Sequence, residues 1–492
     1  MKKNIKFSVD KPTCNCGVFG IQGKSKDLPL LTYFGLHALQ HRGQEACGIT
    51  ASFKNGDFKT QFTTHKDFGL VSDVFGKSNF LEKELDFATC IGHNRYSTFG
   101  SSASRKNIQP FVVNYRDGNL AVAHNGNLTN AKYLRKKLEK DGAIFQTTSD
   151  SEVVLHLIAR SKKKNQIDQI REACDQIEGA FSLIIMTDTS LIGVRDPYGV
   201  RPLCLGKKND SFIITSETCA LDINTATYIR DIEPGEILVV DKSKEEGEHL
   251  QSYKINSDAH TKHCVFEYIY FSRPDSKIFG HNVDKMRRKL GKNLALNHPV
   301  RDKDGEKVIV ISVPDSSNTA AIGYQNQLEK LGIPSKLEIG LIRNHYIGRT
   351  FILPAQKKRE VGVRIKFNTV KGVLENRTVV IIDDSVVRGT TSKQLINLIR
   401  EANPKEIHMR ISSPPIYNPC YYGMDFPSKE ELIANRFDNI EAIAKYLEVD
   451  SLEYMTKEEM LESMIDHAPD DFCTACFSGD YPIPIVDKEI LG

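Results

Sequence analysis

The pattern of apolar and polar positions changes character once along the chain. Up to about residue 240, short β-rich runs dominate: GVFGI, CGITASF, ATCIGHNRYST, LAVAHNG, FSLIIMT and IGVRD, separated by Gly, Asn and Asp. Two stretches, 28–41 and 150–163, instead space their apolar residues at the helical period. Strands that follow one another without a helix between each pair predict an α+β body, sheets sandwiched by helices, over 16–240. The polar, charged segment DKSKEEGEHLQSYKINSDAHTK, 241–262, reads as a linker. Beyond it, VIVISV (308–313) and VVIIDD (379–384) are continuous apolar runs that end in polar loops, each followed by a helical pattern. Such runs suit strands buried on both faces, which predicts an α/β domain with a parallel sheet over 263–424. From 425 to 492, SKEELIANR, NIEAIAKYL and KEEMLESMI read as short amphipathic helices.

With 492 residues, the chain is too long for one ordinary core, so several domains are expected. Hydrophobic residues at 40% and charged residues at 26% fit a globular enzyme. A formal net charge of +3 gives no reason to expect nucleic acid or an anionic membrane as partner. No apolar run approaches the roughly 18–20 residues of a membrane span. The start, MKKNIKFSVDKPTC, lacks the apolar centre of a secretory signal, so a cytoplasmic protein is expected. In a reducing compartment the 11 cysteines are not a disulfide framework. Cys90, Cys174, Cys204 and Cys219 read as small core residues. Cys14, Cys16, Cys264, Cys420, Cys473 and Cys476 call for separate explanations.

The stretch VVIIDDSVVRGTTSKQLINLIR, 379–400, places two carboxylates, Asp383 and Asp384, at the end of a buried strand. Ser385, Arg388, Gly389, Thr390 and Thr391 follow and open a helix. Backbone N–H groups at a helix start attract phosphate, and Gly and Thr allow close approach and add hydroxyl donors. The paired carboxylates can accept from ribose hydroxyls or hold Mg²⁺. The string resembles the phosphoribosyl-pyrophosphate (PRPP) signature of the type I phosphoribosyltransferases.

Four marks of the first half follow in order: CGVFGI from Cys16, HRGQEACGI (41–49), GHNRYSTFG (92–100) and HNGNL (124–128), then SDSE at 149–152. Together with EYIYFSRPDS (267–276), VPDSS (313–317) and CTACF near the C-terminus, they make nearly the whole chain resemble the glutamine PRPP amidotransferases. That resemblance implies an N-terminal-nucleophile glutaminase domain joined to a phosphoribosyltransferase domain. It implies a leader, residues 1–15, whose removal makes Cys16 the first residue; Cys14 leaves with it. Cys16 would attack the glutamine amide with its own freed α-amino group as base. Asn125 and the N–H of Gly126 would form the oxyanion hole. Arg95 and Asp150 would hold the α-carboxylate and α-ammonium of glutamine, with Thr98 assisting and Arg42 shaping the pocket. Asn94 and Cys47 depart from the family pattern without replacing a catalytic group.

By the same resemblance, ammonia displaces pyrophosphate from C1 of PRPP to give 5-phosphoribosylamine, the opening reaction of purine biosynthesis. Ser316, Asp383 and Asp384 match the positions of one Mg²⁺ per subunit. LIRNHYIGRTF (341–351), with Arg343 and Tyr346, resembles a loop that closes over PRPP; Arg343 stands where lysine is expected. Cys473 and Cys476 form C-x-x-C, and with Cys264 and Cys420 they suit four thiolates on zinc or on a [4Fe–4S] cluster. One subgroup of the family carries such a cluster on cysteines in these contexts, so the resemblance implies one [4Fe–4S] centre per subunit. It further implies a homotetramer or homodimer and feedback inhibition by purine nucleotides. Two rival readings are a glutamine amidotransferase with a different acceptor, such as a sugar phosphate, and a PRPP-sensing regulatory protein.

Overall fold

A computed structural model describes residues 16–54, 59–96, 104–241, 244, 248–344, 364, 366–464 and 466–487. The first half is built of two antiparallel sheets. One has seven strands, in the order Thr227–Asp231, Cys204–Lys208, Ser211–Thr215, Gly17–Ser25, Phe87–Arg95, Ala46–Lys54 and Thr60–Phe68. The other has six, in the order Leu250–Lys254, Glu236–Asp241, Ser190–Arg195, Gly179–Thr187, Gly118–Leu128 and Phe111–Tyr115.

The apolar run at residue 17 has a direct structural cause. Side chains alternate across a strand, and here both faces are covered. Val18 enters the core between the two sheets with Ile91, Ala123, Ile184 and Ile214. Phe19 and Ile21 face the opposite way, into a core under the helix Leu28–Ala38. A third core lies under the helices Ala131–Lys140, Glu152–Arg160 and Gln166–Cys174, on the outer face of the six-stranded sheet. Each fully buried aliphatic side chain contributes roughly 1.5–3 kcal/mol, so this helix–sheet–sheet–helix stack fixes its central strands firmly.

The second half has a five-stranded parallel sheet: Ser335–Leu337, Val308–Ser312, Thr378–Asp383, Glu406–Ile411 and Ser451–Tyr454. Here too the continuous apolar runs are buried on both faces. Val308, Val310, Val380 and Ile382 enter one core, and Ile309, Ile311, Val379 and Ile381 enter the other. Chain order reverses between the neighbouring strands Val308–Ser312 and Thr378–Asp383. Such a reversal opens a crevice at the strands' carboxyl ends, where α/β proteins bind ligands.

Two expectations are corrected. The 241–262 segment is not simply a linker, because Leu250–Lys254 is an edge strand paired with Glu236–Asp241. The C-terminal region is not only helical: Ser451–Tyr454 is the fifth strand of the parallel sheet. Phe472–Cys473 also pairs in parallel with His263–Cys264, which joins the C-terminal region to the body. Among the described residues no helix is long and apolar enough to cross a membrane.

Candidate functional site

Cys16 stands at the head of the strand Gly17–Ser25 and is 8% exposed. Its Sγ donates to the Tyr96 carbonyl at 3.7 Å. Burial pushes the thiol up to about 11, the Tyr96 hydrogen bond and the charge of Arg95 oppose that rise, and Asp150 and Glu45 add to it. Arg95 and Asp150 are thus close enough to act on the sulfur electrostatically. Arg95 ends the strand Phe87–Arg95, whose register sets Asn94 beside both Gly17 and Cys47. The two departures from the family pattern are therefore direct cross-strand neighbours. Asn94 Nδ2 donates to the Leu36 carbonyl at 2.7 Å, which ties this strand to the covering helix.

Asp150 is held from several sides. Its Oδ2 accepts from Leu128 N at 3.0 Å, and its Oδ1 accepts from Ser151 N at 2.8 Å and Ser151 Oγ at 3.1 Å. Behind it, His124 Nδ1 meets Ser151 Oγ at 2.8 Å, and burial lowers the histidine's affinity for a second proton. Gln109 joins both, accepting from His124 N at 2.7 Å and donating to Ser151 Oγ at 3.2 Å. Gln109, His124 and Ser151 thus support the site; His124 and Ser151 lie within HNGNL and SDSE, whereas no motif singled out Gln109.

Asn125 is different. It is fully buried, and neither its Oδ1 nor its Nδ2 has a hydrogen-bond partner among the described residues. Most buried polar side-chain atoms are paired, so a buried amide left open is a donor in reserve for a ligand. Gly126, next along, has φ +148°, and a Cβ there would lie 1.9 Å from the Ala180 carbonyl oxygen. Only glycine lets this strand run so close to Gly179–Thr187.

Arg42 is placed otherwise than expected. Its guanidinium is fully buried against Glu217 and Glu267, with Nη2–Oε2 of Glu267 at 2.6 Å. Only its Cβ approaches the nucleophile strand, 3.5 Å from where a Cβ on Gly17 would sit. Arg42 therefore belongs to a seam between the two halves rather than to the glutamine pocket. Glu267 also accepts from Arg201 Nη1 at 3.2 Å, and Arg201 Nη2 donates to the Tyr422 carbonyl at 2.5 Å. Burial alone would raise Glu267, but Arg42 and Arg201 overcome it and hold the carboxyl below its usual range. Thr98 lies outside the described residues.

In the parallel sheet, Asp383 and Asp384 are almost wholly buried at the crevice. Ser316 Oγ donates to Asp384, Ser317 Oγ donates to Asp383 at 3.1 Å and to Asp384 at 3.3 Å, and Ser385 Oγ donates to Asp384 at 2.8 Å. The VPDSS loop and the acidic pair therefore meet, and Ser317 is an additional contact. Gly389, φ +78°, caps the helix Thr390–Arg400. Arg388 lies 3.5 Å from Glu431, and Arg343 pairs with Asp315 at 3.0 Å on the crevice side of the same loop. Tyr346 lies outside the described residues.

Cys264, Cys420, Cys473 and Cys476 line one enclosed cavity, together with Arg201, Tyr422 and Tyr481. Every described cysteine is a free thiol. Burial pushes Cys264 up to about 12 against the charge of Arg201, and Cys476 is raised further by its three thiol neighbours. Four thiols sharing a cavity with an arginine, three of them buried and Cys420 half-buried, form a donor set suited to a soft, positively charged metal centre. Among the described residues, no three His, Cys, Asp or Glu form a group that could hold a single metal ion.

Antiparallel sheets that bury Cys16 at a strand head and leave the Asn125 amide open, joined to a parallel-sheet domain with a buried acidic pair at its crevice, fit a glutamine-using amidotransferase fused to an α/β domain. A model of the glutamine amidotransferase domain matches residues 93–222. The chain belongs to the amidophosphoribosyltransferases. It is 48% identical to the chloroplastic amidophosphoribosyltransferase of Vigna aconitifolia over 96% of this chain and 92% of that one. A solved structure of the allosteric regulatory enzyme of purine biosynthesis superposes with a TM-score of 0.86 at 44% identity, covering 96% of this chain and 97% of that one. The Bacillus subtilis glutamine PRPP amidotransferase, solved in complex with ADP and GMP, gives 0.85 at 44% identity, covering 96% and 98%.

Proposed function

We propose that this chain hydrolyses glutamine at Cys16 and passes the ammonia to PRPP, giving 5-phosphoribosylamine, glutamate and pyrophosphate, the first committed reaction of purine synthesis. The observation that carries the reading is the open, buried amide of Asn125 in a chain that also buries Cys16 at a strand head and brings VPDSS onto VVIIDD.

Cys16 becomes competent when residues 1–15 are removed. As an amide its nitrogen accepts no proton, whereas a free α-amine titrates near 7.7–8.0 and takes the thiol proton at neutral pH. The thiolate adds to the glutamine amide carbon, and the oxyanion that forms meets Asn125 Nδ2 and the Gly126 N–H. Arg95 and Asp150 fix the substrate's carboxylate and ammonium. The α-amine returns its proton to the departing ammonia, and water then releases glutamate from the thioester.

At the crevice, Asp383 and Asp384 orient the PRPP ribose, while Ser385 and the Arg388–Thr391 turn receive the 5-phosphate at a helix start. Arg343 and Tyr346 belong to the segment proposed to cover the substrate and exclude water. Ammonia adds to C1, and the C1–O bond to pyrophosphate breaks. Ser316, Asp383 and Asp384 would hold Mg²⁺, which neutralises charge on the leaving pyrophosphate. Two carboxylates suffice for it, because Mg²⁺ keeps water and substrate oxygens as its remaining ligands.

Cys264, Cys420, Cys473 and Cys476 would hold a [4Fe–4S] centre that fastens the C-terminal region to the body. Four thiols that line one cavity, two of them in C-x-x-C, support a thiolate-bound centre. Purine nucleotides as feedback inhibitors, a homotetramer or homodimer and a cytoplasmic location complete the reading. The ADP and GMP bound by the similar enzyme support the first, and the free cysteines support the last.

The test is Cys16→Ala. Glutamine-dependent pyrophosphate release should vanish while ammonia-dependent release stays within about twofold of wild type, since a group that acts only on the amide touches no step at C1. Retained glutamine-dependent release would overturn the assignment.

A further inference from the structure

The helix Ala131–Lys140 begins just after the strand that carries Asn125, and its own N-cap residue does not cap it. Asn130 turns its side chain to Gln176 O and Glu178 N instead, each at 3.0 Å. The cap comes from the far end of the chain. Asp487, 2% exposed, accepts from Lys132 N at 2.7 Å and Tyr133 N at 3.0 Å, and its own N–H donates to the Thr129 carbonyl at 3.0 Å. A carboxylate on the free N–H groups of a helix start is favoured by both hydrogen bonding and the helix dipole.

The segment leading to Asp487 is itself tied to the cysteine cavity. Tyr481 OH donates to the Pro419 carbonyl at 2.6 Å. Tyr422 OH donates to Ile483 O at 2.8 Å and accepts from Ile483 N at 3.0 Å. Between the cavity-lining Cys420 and Tyr422, the Tyr421 carbonyl accepts from Asn127 Nδ2 at 2.9 Å. Two anchors from the cysteine-bearing region therefore grip residues 127–133, immediately after Asn125 and Gly126. Among the described residues the Asn125 amide has no partner to aim it. Its direction is set by the backbone on which it stands, and that backbone is held at 127 and at 129–133.

We infer that Asp487 is a positioning residue for the oxyanion hole, at the end of a C-terminal strap that runs from the cysteine cavity to the glutaminase. This rests on the function proposed above. An oxyanion donor acts on the transition state more than on bound substrate, so a slackened strap lowers kcat and leaves KM.

The experiment compares full-length wild type with Asp487→Ala and Asp487→Asn, with glutamine and with ammonia as nitrogen source. For Asp487→Ala the glutamine-dependent kcat should fall about fivefold to tenfold, the size of a lost cap expressed as a rate. KM for glutamine and the ammonia-dependent rate should stay within about twofold. Asp487→Asn keeps one acceptor and should recover part of the loss. If Asp487→Ala fails to fold, Asp487→Asn is read by the same selectivity. Equal falls with both nitrogen sources would mean a merely structural tail, and no fall would mean an idle one; either overturns the inference. Wild type that releases no pyrophosphate with either source would refute the function and this inference together. Wild-type turnover with an unselective variant refutes the inference alone.

Discussion

Replacing Asn125 by leucine separates what its amide does for catalysis from what it does to the fold. The side chain is 0% exposed, and neither amide atom has a partner among the described residues. An unsatisfied buried polar group costs about 1–3 kcal/mol. Leucine keeps the branched shape but is larger, so the substitution removes that cost and adds about 1–3 kcal/mol of overpacking. The two nearly cancel, and Tm should stay within about 8 °C of wild type for a domain of this size. Loss of an oxyanion donor should lower glutamine-dependent kcat by about 10²–10³. Ammonia-dependent turnover at the other site should not change. Thermal melts and the two rates, measured on the same preparation, check all three statements. Asn94→Leu is the control, because its Nδ2 donates to Leu36 O and its removal orphans that carbonyl. It should destabilise by about 1–3 kcal/mol. An Asn125→Leu protein that melts well below wild type, or keeps glutaminase within tenfold, would refute the reasoning.

Other consequences can be measured separately. Gly389→Ala forces a side chain into φ +78° with its Cβ 2.2 Å from Ile433 Cδ1. Strain of about 1–2 kcal/mol plus overpacking of about 1–3 kcal/mol should raise KM for PRPP at least tenfold while leaving PRPP-independent glutaminase intact. In chain that keeps residues 1–15, the Cys16 thiol near 11 should be alkylated slowly, with a rate rising about tenfold per pH unit between about pH 7 and 9; processed protein should react faster at neutral pH. Glu267→Gln leaves Arg42 and Arg201 without their shared partner and should destabilise by about 3–5 kcal/mol in urea unfolding. Because the folded Glu267 carboxyl sits below its unfolded value of about 4.3, its stabilisation is full above that pH and fades as pH falls through the folded value. The variant's stability should therefore fall less steeply in acid than wild type's.

Much of the fold was legible because its central strands are buried on both faces. GVFGI, VIVISV and VVIIDD leave little choice but the middle of a covered sheet. Leu250–Lys254 was hidden for the opposite reason. Its side chains are exposed or half-exposed, and it is held by backbone pairing that leaves no apolar pattern. Ser451–Tyr454 is too short to show a period at all. At the site, motifs located Cys16, Asn125, Asp150 and the acidic pair, since chemistry restricts residue type there. Arg42 shows the limit of that reading. A motif fixes where a residue sits in the chain, but two carboxylates from distant segments decide where its guanidinium turns. Asp487 could not have been found so, because nothing local marks a cap supplied from 354 residues away.

The central claim is that one nitrogen passes from glutamine to PRPP within this chain. The most direct measurement mixes anaerobically purified protein with glutamine, PRPP and Mg²⁺ and follows glutamate and pyrophosphate together. The account predicts equal release of both from wild type and of neither from Cys16→Ala, with pyrophosphate release restored by ammonia. Glutamate without pyrophosphate from wild type would contradict it.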